Sequence, residues 1–322
     1  MKKLLPLIAL GALTACGTAP KESVRINGAG ATFPAPLYTA MFSELAKGGE
    51  YEVNYQAVGS GAGVRQFNAG TTDFGASDKA VKDGNEVPIV QIPMTGGAIV
   101  PAYNNPGCDL KLTQTQLSDI YLGNINTWEE VGCDGGTITV VYRSDGSGTT
   151  AGWTASLSAF SPQWSEEVGS GKAVNWPTGI GAKGNSGVAA QINQVQGSIG
   201  YLNYGFVVNS DTLQQASIQN RDGNYVQANA ETSAEGLSRI VLDDKLRGSD
   251  PNPSGANSYP IVSLTWVLAH PEHEKNDTMK EVFRFMLSEE AQSTSDSLGY
   301  VPLPESIRQQ SLEVVETLTT PS

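Results

Sequence analysis

Three times in the first 150 residues a run of strand character ends in a cluster of Gly, Ser and Thr, and a helical pattern starts directly after it. That arrangement restricts the fold more than any other feature of the chain. Strands connected through helices build an open α/β sheet, and such sheets bind ligands at the carboxyl ends of their strands, where these junctions gather. The fullest junction is Tyr142-Arg-Ser-Asp-Gly-Ser-Gly-Thr-Thr150, between an expected strand at 138–142 and an expected helix at 151–160. Asp145, Ser147 and Thr149 are residue types that cap helices, and Gly146 and Gly148 allow backbone to approach a ligand closely. A helix start there aims free N–H groups and the positive dipole end at one point, which favours an anion. Arg143 adds a planar fork suited to a tetrahedral oxyanion. No Lys stands at the P-loop spacing, so a nucleotide site is not supported.

The other two junctions repeat the design. A short strand at 24–26 leads into Asn27-Gly-Ala-Gly-Ala-Thr-Phe-Pro-Ala-Pro36, followed by a helical apolar face formed by Leu37, Met41 and Leu45. Pro34 and Pro36 suit a first turn, where a missing N–H costs nothing; this puts Thr32 and Phe33 beside free amides. Alternation at 51–57 predicts a second strand, followed by Gly59-Ser-Gly-Ala-Gly63 and a short helix through Val64 and Phe67, so Ser60 offers a hydroxyl and an amide together. A short strand at 73–78 emerges into a loop carrying Asp78.

The length of 322 residues predicts two domains. The apolar runs at 89–104 read as a crossing into the second, and 259–269 as the return. Thr113 and Gln116 form a capping-box signature, residues 179–187 read as a loop, 199–204 as a strand, and 233–246 as an amphipathic helix. Helices at 279–287 and 289–298 are expected to complete the first domain.

A formal net charge of -13 argues against nucleic acid or an anionic membrane as the main partner. Any anion site must then work through local dipoles and hydrogen bonds. Lys2, Lys3 and the apolar run 4–13 form a secretory signal, too short to span a membrane stably. The run ends in Leu13-Thr-Ala-Cys16, which resembles a bacterial lipobox. Cys16 is therefore expected to carry lipid, palmitate included, with 1–15 removed as signal and 16–23 as tether. Cys108 and Cys133 are an even pair in an exported chain and are expected as a disulfide, worth roughly 3 kcal/mol by chain entropy. His270 and His273 stand in His-Pro-Glu-His, read as a solvated turn and not a metal site. No metal and no cofactor is expected.

Taken in order, Gly28-Ala-Gly-Ala-Thr-Phe-Pro-Ala-Pro36, Asp73-Phe-Gly-Ala-Ser-Asp78, Ile120-Tyr-Leu-Gly123 and Arg143-x-Asp-Gly-Ser-Gly-Thr149 resemble the periplasmic phosphate-binding proteins of bacterial ABC-type importers, over nearly the whole mature chain. The resemblance implies an α/β, two-lobed type II periplasmic binding protein fold with two hinge-crossing strands. Lobe I would comprise 24–98 and 262–322, and lobe II 99–261. It also implies capture of inorganic phosphate by a non-enzymatic monomer at the extracytoplasmic face, for delivery to permease subunits. Phosphate contacts would come from Thr32, Phe33, Ser60, Asp78, Arg143, Ser147, Gly148 and Thr149, with Asp145 orienting the arginine. The alternatives are another tetrahedral oxyanion, sulfate or molybdate, and a phosphate-ester hydrolase. The hydrolase lacks a base beside any nucleophilic Ser.

Overall fold

The structure, a computed structural model, describes residues 23–208 and 210–321. The expected signal and Cys16 lie outside them. The first third of the chain alternates strand and helix: β1 (Val24–Gly30), α1 (Ala35–Ala46), β2 (Tyr51–Ala57), α2 (Ser60–Asn68), β3 (Phe74–Ser77) and the long β4 (Val90–Asn104). The middle holds β5 (Lys111–Leu112), α3 (Gln114–Leu122), β6 (Thr139–Arg143), α4 (Gly148–Phe160), α5 (Pro162–Glu167), β7 (Ile180–Ala182), α6 (Gly184–Gln194), β8 (Ser198–Asn203), β9 (Gln214–Gln215), β10 (Ser217–Gln219) and β11 (Tyr225–Val226). The last third adds α7 (Ala230–Leu237), β12 (Val262–Ala269), α8 (Asn276–Met286), α9 (Glu289–Gln292) and α10 (Glu305–Glu316).

The main sheet runs β2-β1-β3-β12-β4-β8-β6-β7, with β9 also paired to β4. Strand β4 is common to both halves. Its residues Val90 to Ala98 pair with β12, and Ile99 to Asn104 pair with β8. The chain passes between the halves again on entering β12, where Ile99 N–H donates to Ile261 O at 2.9 Å. One continuous hydrophobic core runs through both halves and has two parts. Ile26, Leu37, Phe42, Phe74 and Phe283 fill the first. The second is an aromatic stack in which Trp153 and Trp176 lie against Tyr201, with ring centroids 5.0 and 5.6 Å away. This stack holds Tyr201 where its hydroxyl accepts from Arg143 N–H at 3.1 Å, tying the core to the 142–150 junction.

Several expected elements shift. The 179–187 stretch is no loop, since it supplies β7 and the first turn of α6. The helix expected at 233–246 stops at Leu237. Beyond it the Asp243 carboxylate accepts from the backbone N–H groups of Lys245 and Arg247, a local turn that competes with helix. In 289–298 only Glu289–Gln292 is α-helical, because Ser293 and Thr294 donate back to the Glu290 and Ala291 carbonyls. Helix α10 lies beyond the last expected element. The Thr113–Gln116 capping box is present, and Cys108 is bonded to Cys133.

Candidate functional site

The three junctions meet where the two halves face each other. Thr32 and Phe33 follow β1, Ser60 opens α2, Asp78 follows β3, and Arg143 ends β6 ahead of α4. Contact across the cleft is direct: Gly61 N–H donates to Gly146 O at 2.7 Å. Ser60 Oγ accepts from Asp78 N at 3.2 Å and, from the other half, from Gly148 N at 3.1 Å. Gly59 is at φ +93°, and a Cβ there would stand 2.2 Å from Asp145 Oδ2, so only glycine permits this approach. Gly148 is equally confined, its added Cβ falling 2.5 Å from Ser60 Oγ.

Asp78 is the buried centre, 4% exposed. Thr265 Oγ1 on β12 donates to its Oδ1 at 2.9 Å, and Thr149 Oγ1 lies 3.5 Å from its Oδ2. Burial pushes this carboxyl up to about 7, against the downward pull of the Thr265 hydroxyl, the Arg143 and Lys172 charges and the Thr149 hydroxyl. The surrounding phenols of Tyr38, Tyr55 and Tyr300 are themselves raised, first by burial and also by the Asp78 charge. A carboxyl in this position accepts a hydrogen bond when ionised and donates one when neutral.

Arg143 is 3% exposed and held as a fork. Its Nε and Nη2 donate to the two Asp145 oxygens at 2.7 and 2.5 Å, leaving Nη1 to point at Thr149 Oγ1, 3.4 Å away. Asp145 also accepts from Gly184 N at 3.0 Å. Burial pushes the Asp145 carboxyl up, but the hydrogen bonds and charge of Arg143, with the Gly184 N–H, outweigh it and hold the group below its ordinary value.

Not every expected contact is equally free. Ser147 Oγ accepts from Thr150 N at 3.0 Å as the N-cap of α4, and its own N–H donates to Lys172 O. The Phe33 carbonyl accepts from Tyr300 OH at 2.7 Å, which pins this junction to the C-terminal part of the chain. Sequence reasoning missed Asn185, Thr265 and Lys172. Asn185 Nδ2 donates to Thr32 Oγ1 and Thr149 Oγ1. Its only signal was the Lys183-Gly-Asn sequence in the stretch read as a loop; Thr265 sits in an apolar strand and Lys172 in a connection, with no motif to mark either.

Beside Asp78 a cavity of about 570 Å³ runs between the 79–83 loop and α4, bounded by the 247–251 segment. Asp83 pairs with Lys245 and Arg247 at its rim, at 2.7 and 2.9 Å. Among the described residues no group of three His, Cys, Asp or Glu could hold a metal ion.

Residues 17–290 match the PBP superfamily domain. The phosphate-binding protein PstS of Pasteurella multocida is 39% identical over 316 residues, spanning 90% of this chain and 89% of its own. That of Haemophilus influenzae is 36% identical over 310 residues, spanning 90% and 92%. The chain belongs to the PstS family. Solved structures agree on the fold. A phosphate-binding protein from Stenotrophomonas maltophilia superposes with TM-score 0.71 at 20% identity, covering 90% of this chain and 94% of that one. A putative phosphate ABC transporter substrate-binding protein from Clostridium perfringens, solved with bound phosphate, gives 0.67 at 19% identity, covering 87% and 100%. The PstS-family chain described here therefore has the two-lobed type II periplasmic binding protein fold, with β4 shared between the lobes.

Proposed function

We propose that this protein captures inorganic phosphate between its lobes and delivers it to the membrane subunits of an ABC-type phosphate transporter. One observation carries the reading. Hydroxyl, amide and guanidinium donors from both lobes converge around a single buried carboxyl, Asp78. A site of donors alone would take any tetrahedral oxyanion. The carboxylate adds an acceptor that only an anion still carrying a proton can satisfy. Phosphate brings that proton at neutral pH, whereas sulfate and molybdate do not. Thr32, Phe33, Ser60, Arg143, Ser147, Gly148 and Thr149 supply the contacts, and Asp145 orients the arginine.

The movable bodies are taken as 24–98 with 262–322, and 99–261. This division follows the change of β4 partner between Ala98 and Ile99. The protein acts as a monomer at the extracytoplasmic face, held there by lipid on Cys16. It performs no catalysis: Ser60 Oγ is occupied by two N–H donors, and both histidines lie beyond β12, His270 stacked between Phe67 and His273. Calorimetric titration of ligand-stripped protein with phosphate, sulfate and molybdate tests the proposal. Stoichiometric binding of phosphate alone is expected; equal or tighter binding of either other anion would overturn it.

A further inference from the structure

Asn185 is fully buried at the first turn of α6, between a hydroxyl of one lobe and a hydroxyl of the other. Its amide orientation is determined by its surroundings. Asn203 N–H donates to Oδ1 at 2.9 Å, and a backbone N–H cannot accept, so the oxygen faces β8 and the nitrogen faces the cleft. From there Nδ2 donates to Thr32 Oγ1 at 2.8 Å and to Thr149 Oγ1 at 3.1 Å. The backbone N–H of Asn185 also donates to Thr32 Oγ1, at 3.1 Å.

A hydroxyl has two lone pairs and one proton. Two N–H donors fill both lone pairs of Thr32 Oγ1, so this group can interact further only by donating. Thr149 Oγ1 is placed alike: Asn185 Nδ2 and Arg143 Nη1 approach its lone-pair side, and its proton points to an acceptor, Asp78 Oδ2 at 3.5 Å, whose place a bound anion oxygen can take. Without those N–H groups either hydroxyl could rotate and present a lone pair to a bound anion, turning attraction into repulsion.

We propose that Asn185 is a positioning residue of the site, fixing the hydroxyls of Thr32 and Thr149 as obligate donors to the anion and joining the two lobes while it does so. This rests on the phosphate-capture reading above. It goes beyond the direct contacts, because Asn185 acts through two other side chains.

The experiment is a double-mutant comparison by calorimetry with inorganic phosphate. In the wild-type background Asn185→Ala should weaken binding about 10-fold or more, the range for losing well-oriented hydrogen bonds to a charged group. In a Thr32→Val, Thr149→Val background the same substitution should change Kd by less than about threefold, since the hydroxyls through which it acts are gone. Asn185→Ser, whose hydroxyl can still accept from Asn203 N–H, serves if the alanine variant does not fold, with the same expected contrast. Circular dichroism of the ligand-free variants verifies folding. An equal loss in both backgrounds, or wild-type affinity in the single variant, overturns the inference. Failure of the wild-type protein to bind phosphate would instead remove the functional reading beneath it.

Discussion

Replacing Asp78 by Asn keeps the shape and one carbonyl oxygen at the buried centre of the site but removes the charge. Burial raises the native carboxyl from 3.8 to about 7, even with Thr265, Arg143, Lys172 and Thr149 opposing. At about 1.36 kcal/mol per unit, keeping Asp78 ionised in the empty site costs on the order of 4 kcal/mol. The sign follows from proton counting. Between about pH 4 and 7 the folded state holds a proton that the unfolded state has released, so stability is full below that window and falls as pH rises through it, levelling above 7. The ligand-free Asp78→Asn variant should therefore match the native protein near pH 4 and exceed it by a margin that grows to a plateau above pH 7. That margin amounts to several degrees in Tm for a chain this long. Thermal unfolding of phosphate-stripped proteins from pH 4 to 8 measures it. The same logic governs selectivity. Below pH 7 the protonated native carboxyl can donate, so native sulfate affinity should rise as pH falls, up to about tenfold per unit for one linked proton. The Asn variant, whose amide always donates, should bind sulfate more tightly than native at pH 8 and without that slope. A Tm difference that is the same at every pH, together with an unmoved ratio of phosphate to sulfate affinity, would refute the reasoning.

Arg143→Lys should weaken phosphate binding by about 10- to 150-fold, because a point charge cannot hold both Asp145 oxygens and still reach the ligand; calorimetry at constant ionic strength measures it. Gly59→Ala should lower affinity by roughly 10- to 100-fold through strain of about 1–3 kcal/mol and the clash with Asp145, and small-angle scattering should show an incompletely closed form with phosphate; a Kd within twofold of native removes Gly59 from closure. Cys16→Ser should release the protein from washed membranes, since stable anchoring at about 0.8 kcal/mol per buried methylene needs the acyl chains; retention on the membrane would dispose of the anchor.

Local chemistry made much of this protein legible in its sequence. A strand that runs into Gly, Ser and Thr and then into a helix leaves free amides wherever it occurs, so the junctions at Thr32, Ser60 and 142–150 can be read without knowing what they face. The Thr113 capping box and the Cys108–Cys133 pair depend on short spacing or simple parity and were equally readable. Tertiary structure alone decided which groups meet across the cleft. Asn185 meets Thr32 from 153 residues away, and Thr265 meets Asp78 from 187. No periodicity records such pairings. The raised carboxyl of Asp78 is a property of its enclosure, not of the Asp-Phe-Gly-Ala-Ser-Asp stretch that carries it. Ser147, by contrast, was legible as a helix-capping type, and its hydroxyl oxygen does cap α4 through Thr150 N, a bond set within three residues. Sequence places hydrogen-bonding groups at the ends of strands because those positions are set within a few residues. Which groups are filled, which remain open and how strongly each charge is felt depend on the approach of two lobes, and that is fixed only when the chain has folded.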